Sequence, residues 1–293
     1  MSVMSTTELI CKTPPNQTRF RVLLTSDMHC TDLYGREWYG LTNEERMQHW
    51  VDTMLKEHQA DPFDAIFIPG DISLDYHDKK TPYDKGYSTG QDFIKNYLSQ
   101  LPPLPRFILP GNHEQFTDED WLALTGNHRQ GSVILGNNTF VMLSNFAEDL
   151  GHTYDSSDKY SKADVDYIRS QIEAHPQNNV YLVSHYFNLD LDSEAFRSLL
   201  KTETRIKGLF MGHTHLNRVL PLGEEYRNLV IAETGNFSYT LEKDLTKGFW
   251  GFRDLVITPD TAVSHYIVAE SNAIIDGKQV HFDRTVVDTT VHI

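Results

Sequence analysis

The stretch Arg19–His29, RFRVLLTSDMH, decides how the rest of this sequence is interpreted. Its first part, Arg19 to Thr25, is a short and mainly apolar run, which predicts a buried β-strand. Asp27 and His29 follow directly after that run, and carboxylates and imidazoles both bind metal ions. Because ligands of open α/β sheets bind outside the carboxyl ends of the strands, the stretch predicts a metal site at a strand end.

The same arrangement recurs at four later strands, each of which ends on side chains that can bind a metal. The strands and the residues after them are Ala65–Pro69 with Gly70-Asp71, Arg106–Leu109 with Gly111-Asn112-His113-Glu114, Val180–Val183 with His185, and Ile206–Met211 with Gly212-His213-Thr214-His215. We expect all five strand ends to meet at one site. The glycine before Asp71, Asn112 and His213 is expected to let the backbone turn sharply and approach an ion closely.

The order of the predicted elements favours the α/β class. Short strands alternate with amphipathic helices in the first two thirds of the chain. One helix is predicted over Thr42–Glu57, where Thr42 and Glu45 form a capping box. A second capping box, Ser161 with Asp164, predicts a helix that ends near Ala174.

After His215 the pattern changes to strands with no long helix between them. The predicted strands are Val219–Leu222, Leu229–Glu233, Phe249–Thr258 and Ala262–Val268. We therefore predict one α/β domain over 1–293, with two packed sheets and helices on the outside. Residues 19–220 carry the motifs, and 221–293 form a C-terminal β segment, expected to be a β meander.

Composition limits the classes of partner. The 293 residues include 26 Lys and Arg and 41 Asp and Glu, which gives a net charge of −15. This balance disfavours nucleic acid as a partner, although a bound metal can still attract a small anionic substrate. Cys11 and Cys30 are too few for a disulfide framework. Since no apolar run is long enough for a membrane span and no secretory signal is visible, we expect a cytoplasmic protein that does not enter membranes.

The candidate metal ligands are all oxygen and nitrogen donors. They are Asp27, His29, Asp71, Asn112, His185, His213 and His215. This set suits manganese, iron or zinc, and seven ligands are too many for one tetrahedral ion. Two ions about 3.5–4 Å apart that share a carboxylate would use them all. Each motif alone also fits an ordinary turn or a structural histidine, whereas five in order at strand ends favour a site.

Taken together, the motifs resemble those of the calcineurin-like metallophosphoesterase superfamily. The matching set is Asp27-x-His29, Gly70-Asp71, Gly111-Asn112-His113-Glu114, His185 and Gly212-His213-x-His215. The resemblance implies a four-layer fold, a β-sandwich flanked by helices, with a dinuclear metal site at the strand ends. It also implies hydrolysis of a small phosphomonoester or phosphodiester by a hydroxide that bridges the two ions.

The resemblance further implies a role for each matching residue. One ion would be held by Asp27, His29 and His215, and the other by Asn112, His185 and His213, with Asp71 bridging both. His113 would be the family's non-ligand histidine, which stabilises the phosphoryl group or protonates the leaving oxygen. Departures from other branches leave the bacterial phosphoesterase and cyclic-nucleotide phosphodiesterase branch. Leu74 stands where purple acid phosphatases have a tyrosine, and Asp75 stands one position after the acid that orients the histidine in protein phosphatases.

Two alternatives remain open on the sequence alone: a nuclease of the same superfamily, and a catalytically inactive scaffold that binds other proteins. Substrate choice is expected in the loops 30–41 and 75–90, which are rich in aromatic and basic residues. Arg36 is a candidate phosphate clamp, and the aromatic residues there are candidates for stacking on a base or sugar. Tyr186 and Asn188, just after His185, are further candidates to face the site. For any one of these side chains, simple packing of the loops is the simpler interpretation.

Overall fold

Two β-sheets form the centre of the molecule. The computed structural model describes residues 5–14, 16–31, 37–75, 87–114, 116–146, 160–239, 250–269, 271–275, 278–282 and 290–293. Within these ranges, the first sheet has seven strands, in the spatial order β1 (Thr7–Ile10), β7 (Gly131–Leu135), β8 (Asn138–Leu143), β9 (Asn179–Ser184), β10 (Ile206–Met211), β12 (Val230–Glu233) and β11 (Val219–Pro221). Strands β8, β9, β10 and β12 run parallel to one another.

The second sheet has six strands in the described part of the chain. In spatial order they are β17 (Val291–His292), β14 (Ala262–Val268), β13 (Gly251–Ile257), β2 (Phe20–Leu24), β5 (Ala65–Pro69) and β6 (Arg106–Leu109). Strands β2, β5 and β6 are parallel, and β13 pairs with β2 in the antiparallel sense. Two small hairpins lie outside both sheets, β3 (Glu37–Trp38) with β4 (Leu41–Thr42), and β15 (Ser271–Ile275) with β16 (Lys278–Phe282).

The helices cover the outer faces of the sheets. They are α1 (Asn43–Ala60), α2 (Thr89–Asp92), α3 (Asp118–Thr125), α4 (Val165–Ala174) and α5 (Glu194–Thr202). Helix α2 continues as a π-helical turn, Phe93–Tyr97, and a 3-10 turn, Leu98–Gln100, and a separate 3-10 turn spans Glu224–Tyr226. Helix α1 packs on the second sheet, whereas α4 and α5 pack on the first.

A core of apolar side chains fills the space between the two sheets. The rings of Phe67 on β5 and Phe140 on β8 lie 4.8 Å apart across this space. Every residue of β2, β5, β7 and β8 is buried, because these strands have packed neighbours on both faces. The predicted fold class, a β-sandwich with helices on both outer faces, is confirmed.

Local sequence signals set several element boundaries. Thr42 caps α1, and the predicted capping box with Glu45 is present. The capping box predicted at Ser161 is wrong, since the side chain of Asp164 caps α4 by accepting the Tyr167 N–H at 2.9 Å. The Ser161 N–H donates instead to the carbonyl oxygen of Asn145, so that the chain is still outside the helix there.

The C-terminal strands divide between the sheets. Strands β11 and β12 form an antiparallel pair at the edge of the first sheet, and β13 and β14 form another in the second. This strand-rich segment follows the predicted boundaries closely. No helix in the described part of the chain is long and apolar enough to cross a membrane. The single-domain organisation over 1–293 stays a prediction.

Candidate metal centre

The candidate ligands come together where β2, β5, β6, β9 and β10 end. Several of them have a left-handed backbone, with φ between 45° and 70°: Asp27, His29, Asp71, His213 and His215. For residues other than glycine this conformation costs about 1–2 kcal/mol each. Such strain persists only where the surrounding structure fixes it, and it clusters at functional sites. The strained backbone of these turns is therefore retained because it directs the side chains into the site.

Three ligand candidates form a first group at the ends of β2 and β10. Nε2 of His29 lies 3.0 Å from Nε2 of His215. Oδ1 of Asp27 lies 3.4 Å from Nε2 of His215 and 3.8 Å from Nε2 of His29. The three facing atoms can hold one ion between them.

A second group lies beside the first and includes an amide oxygen. Oδ1 of Asn112 is 3.1 Å from Nε2 of His185 and 3.0 Å from Nδ1 of His213. Oδ2 of Asp71 is 3.2 Å from Nε2 of His185 and 3.6 Å from Nε2 of His29. Since His29 belongs to the first group, this one carboxylate oxygen stands between the two groups. The structure thus brings all seven predicted ligands together.

The imidazole orientations suit metal binding. The Nδ1–H of His185 donates to the carbonyl oxygen of Pro69 at 2.7 Å, and the Nδ1–H of His215 donates to that of Tyr239 at 2.5 Å. A ring that donates from Nδ1 keeps a lone pair on Nε2, the nitrogen that faces the other ligands. Carboxylates, an amide oxygen and imidazoles together fit divalent transition metals such as manganese, iron or zinc.

Burial controls the charge of the candidate ligands. It lowers the pKa of His213 to about 3, the pKa of His215 to about 4, and that of His29 well below its usual range. These imidazoles are therefore neutral at pH 7, which is the form that binds metals. Burial also raises the pKa of Asp27 to about 8. An isolated buried carboxylate is disfavoured there, and a bound cation would compensate its charge.

Asp71 and His185 shift each other's pKa in opposite directions. Burial alone would lower the pKa of His185, but the adjacent carboxylate of Asp71 outweighs it and raises that pKa to about 9. Burial would likewise raise the pKa of Asp71, but the charges of His185 and His113 hold it well below its usual range. These opposite shifts indicate that, in the absence of a cation, the two residues share a proton.

His113 lies at the edge of the first group. Its ring is 4.8 Å from the ring of His29 and nearly perpendicular to it. Its backbone N–H donates to Oδ1 of Asp71 at 3.0 Å, which fixes the carboxylate oxygen that does not face His185. A ring nitrogen of His113 also lies within 4.8 Å of ligand atoms of His29 and Asp71. These distances allow it either to bind an ion or to act on a substrate beside one.

The glycines before the ligands leave room for neighbouring ligand side chains. A Cβ atom at Gly111 would collide with Oδ1 of Asp71, and one at Gly70 would collide with Nδ1 of His185. What approaches the backbone at these two positions is a neighbouring ligand side chain. The predicted approach of an ion stays a prediction. Glycine is therefore required for the ligands to pack against one another.

Glu114 is the main site residue to which the sequence assigned no role. Its carboxylate is fully buried and accepts N–H bonds from Asp71 at 2.8 Å, from Ser73 at 2.9 Å and from Gly111 at 2.8 Å. Burial raises its pKa to about 7. Glu114 thereby ties the turn that carries Asp71 to the turn that carries Asn112. The sequence feature that could have identified Glu114 is its position directly after Asn112-His113.

Asp75 has a structural role at the start of α2. Its carboxylate accepts the Ser88 hydroxyl at 2.5 Å and the Thr89 N–H at 2.9 Å. These bonds join the end of the Asp71 turn to the helical segment beyond it.

Aromatic side chains border both groups. The Tyr186 ring lies 4.4 Å from the His213 ring, and Nδ2 of Asn188 donates to the Tyr186 hydroxyl at 3.1 Å. On the other side, the Tyr239 ring lies 4.6 Å from His215 and 5.2 Å from Trp38. Several other predicted contact residues lie outside the described residues: Tyr34, Arg36, Tyr76, His77, Lys79, Lys80, Tyr83 and Lys85.

Comparison with known proteins agrees with this arrangement. Residues 20–217 match the sequence model of the family described as calcineurin-like phosphoesterase. A comparison with curated proteins gives no match.

Among solved structures, a dimetal phosphatase from Danio rerio is similar at 12% identity and a TM-score of 0.62, over 90% of this chain and 99% of that one. A purple acid phosphatase from yellow lupin (Lupinus luteus) seeds is similar at 14% identity and a TM-score of 0.57, over 95% of this chain and 54% of that one. GAP50, the anchor in the inner membrane complex of Plasmodium, is similar at 12% identity and a TM-score of 0.54, over 93% of this chain and 92% of that one. At these identities the likeness shows a shared fold.

Proposed function

The chain belongs to the calcineurin-like phosphoesterase family, and from that premise we propose that it hydrolyses small phosphomonoesters or phosphodiesters with the help of two metal ions. One observation carries the proposal: Oδ2 of Asp71 lies within 3.6 Å of an imidazole nitrogen from each of two ligand groups. A shared carboxylate is the usual way to hold two ions about 3.5–4 Å apart.

Each group of side chains would hold one ion. We assign Asp27, His29 and His215 to the first, and Asn112, His185 and His213 to the second, with Asp71 shared. When bound, manganese, iron or zinc ions supply Lewis acidity toward phosphoryl oxygens and lower the pKa of water. The carbonyl oxygens of Pro69 and Tyr239 aim the rings of His185 and His215. Burial keeps the imidazoles of His29, His213 and His215 neutral.

His113 is proposed as the residue that acts on the leaving group. Its ring stands at the edge of the first group, next to His29, and its backbone N–H is fixed by Asp71. A protonated imidazole there would donate its proton to the oxygen that departs from phosphorus. The net charge of −15 favours a small substrate over a nucleic acid, because the rest of the surface gives little attraction for a polyanion.

The test is hydrolysis of p-nitrophenyl phosphate and bis-p-nitrophenyl phosphate by protein that has been stripped of metal and then given manganese. We expect turnover of at least one ester with manganese and none with excess chelator. An Asp71→Ala variant is the matched control and should be inactive under both conditions. Absence of turnover by protein that holds two ions would contradict the proposal and favour the scaffold alternative.

A further inference from the structure

A fully buried arginine, Arg46, lies directly behind the first ligand group. It belongs to α1 and has no exposed surface. Its guanidinium donates to the main-chain carbonyl oxygens of Met28, His29 and Phe237, the His29 bond measuring 3.0 Å, and to Oδ1 of Asn43 at 2.9 Å. The planar fork of an arginine is suited to such divergent acceptors, which a lysine ammonium cannot all reach.

The positive charge of Arg46 is satisfied by hydrogen bonds to neutral groups rather than by a carboxylate. Among the described residues no carboxylate lies within 4.0 Å of it, whereas Arg21, also buried, pairs with Asp254 at 2.9 Å. A buried cation without an ionic partner is costly and is retained only when hydrogen bonds satisfy it. The position is also unfavourable for binding cations nearby, since like charges repel. The hydrogen bonds of its guanidinium are therefore what retain an arginine at this position.

The carbonyl oxygens that Arg46 holds belong to two segments on either side of the first group. One is the turn after β2, which carries Asp27 and His29 and has a left-handed backbone at both. The other contains Phe237, whose N–H donates to the carbonyl oxygen of Asp27 at 3.3 Å. Two residues further on, Tyr239 accepts the Nδ1–H of His215. One side chain thus joins the backbone supports of all three ligands.

A ring contact reinforces this connection. The guanidinium carbon of Arg46 lies 4.6 Å from the centre of the Trp38 ring, and Trp38 contacts Tyr239 at 5.2 Å. No described hydrogen bond links Arg46 to the turns that carry Asn112, His185 or His213. The second ligand group is aimed by other residues, such as Pro69, which orients His185.

We propose that Arg46 is a positioning residue for one metal only, the ion held by Asp27, His29 and His215. The inference rests on the proposed pair of metal ions but not on the reaction that they catalyse. The inference predicts that the two sites can be separated. Replacing Arg46 weakens the first site and leaves the second close to its original metal affinity. Loss of an outer-shell partner of this kind typically weakens metal affinity by about 10–100-fold.

The test is a manganese titration of the metal-stripped Arg46→Lys variant. Binding is monitored by the electron paramagnetic resonance signal of the manganese ion. We expect one of two sites to weaken at least about tenfold and the other to change little. Arg21→Lys is the matched control: its side chain is also buried, but it lies at the opposite end of β2 from the ligands, so both affinities should match the original protein. Circular dichroism establishes that the variants are folded.

Double variants identify the site that is lost. In a His185→Ala background, Arg46→Lys should weaken the binding of the remaining ion by at least about tenfold, whereas in a His29→Ala background it should leave the remaining affinity unchanged. Arg46→Lys is used because it keeps the positive charge while it removes the fork that reaches several carbonyl oxygens. Two intact sites in Arg46→Lys, or equal losses in both backgrounds, would overturn the inference. Protein that binds two ions but hydrolyses no ester would refute the proposed function and leave this inference standing.

Discussion

Asp71 and His185 form a buried carboxylate–imidazole pair in which Oδ2 and Nε2 are 3.2 Å apart. The other ring nitrogen of His185 donates to Pro69, so a second proton on this ring must lie on Nε2, facing the carboxylate. That position is also the one in which a cation would contact both residues. A proton and a metal ion therefore compete for the same two atoms, and metal binding must depend on pH.

We expect the manganese affinity of the metal-stripped protein to rise with pH. His185, with its pKa raised to about 9, and Asp27, with its pKa raised to about 8, hold protons at lower pH and must release them to bind an ion. Each such group contributes up to about tenfold in affinity per pH unit below its pKa. Calorimetric titration in buffers of different ionisation enthalpy counts the protons released.

The His185→Ala variant is the control for this proton count. It should release fewer protons on binding its remaining ion, since the imidazole that competes with the metal is gone. An affinity that stays constant from about pH 6 to pH 8 would show that neither group holds a proton in the way we infer.

Replacing His113 by alanine should lower kcat by about 10²–10⁴-fold, because the proton donor to the leaving oxygen is removed. Metal content, measured by mass spectrometry of the acid-digested protein, should stay at about two ions per chain. His128→Ala is a suitable comparison, since His128 pairs with Asp118 away from the centre. Loss of one ion in His113→Ala would reassign this residue as a ligand.

Glu114→Gln should lower the free energy of unfolding by about 1–3 kcal/mol. A carboxylate accepts several N–H bonds at once, whereas the amide group of glutamine presents its own N–H toward at least one of these donors. Urea unfolding of the metal-stripped protein measures the effect without contributions from bound ions. Glu173→Gln changes an exposed glutamate of α4 and should leave stability within about 0.5 kcal/mol. Equal losses in the free energy of unfolding for the two variants would show that Glu114 does not stabilise these turns.

Gly111→Ala should weaken the binding of both ions, because the added methyl group collides with Oδ1 of the shared Asp71. Gly126 provides the control. Its backbone is left-handed at φ 77°, so that a side chain there is strained, but no atom lies within 4 Å of an added Cβ. Gly126→Ala should therefore cost stability without changing metal affinity. Wild-type metal affinity in Gly111→Ala would show that the metal centre tolerates a methyl group at this position.

The sequence was sufficient to predict the strand ends and the side chains that meet there. Strand Ala65–Pro69 is a continuous apolar run, since both of its faces are packed, and Ile206–Met211 is interrupted only by Lys207 and Gly208. The observed bounds of both agree with the prediction. Strand β1, Thr7–Ile10, was missed because its residues alternate between half-buried and exposed, and its partner β7 lies far along the chain. The hairpin β15–β16 was missed in the segment beyond the predicted strands.

The supports of the site were beyond sequence reasoning. The sequence predicted α1 as an amphipathic helix and gave no role to Arg46, because an arginine in such a helix normally faces solvent. Its partners are main-chain carbonyl oxygens at Met28, His29 and Phe237, which leave no residue-type signal in the sequence. The same holds for Glu114, whose partners are main-chain N–H groups.

The most direct test of the two-metal account is the rate of p-nitrophenol release from p-nitrophenyl phosphate or its bis ester, measured while manganese is added stepwise to metal-stripped protein. We predict little turnover after the first equivalent, a rise with the second, and a plateau at about two ions per chain. Full activity at one ion per chain, or none when two are bound, would contradict the account.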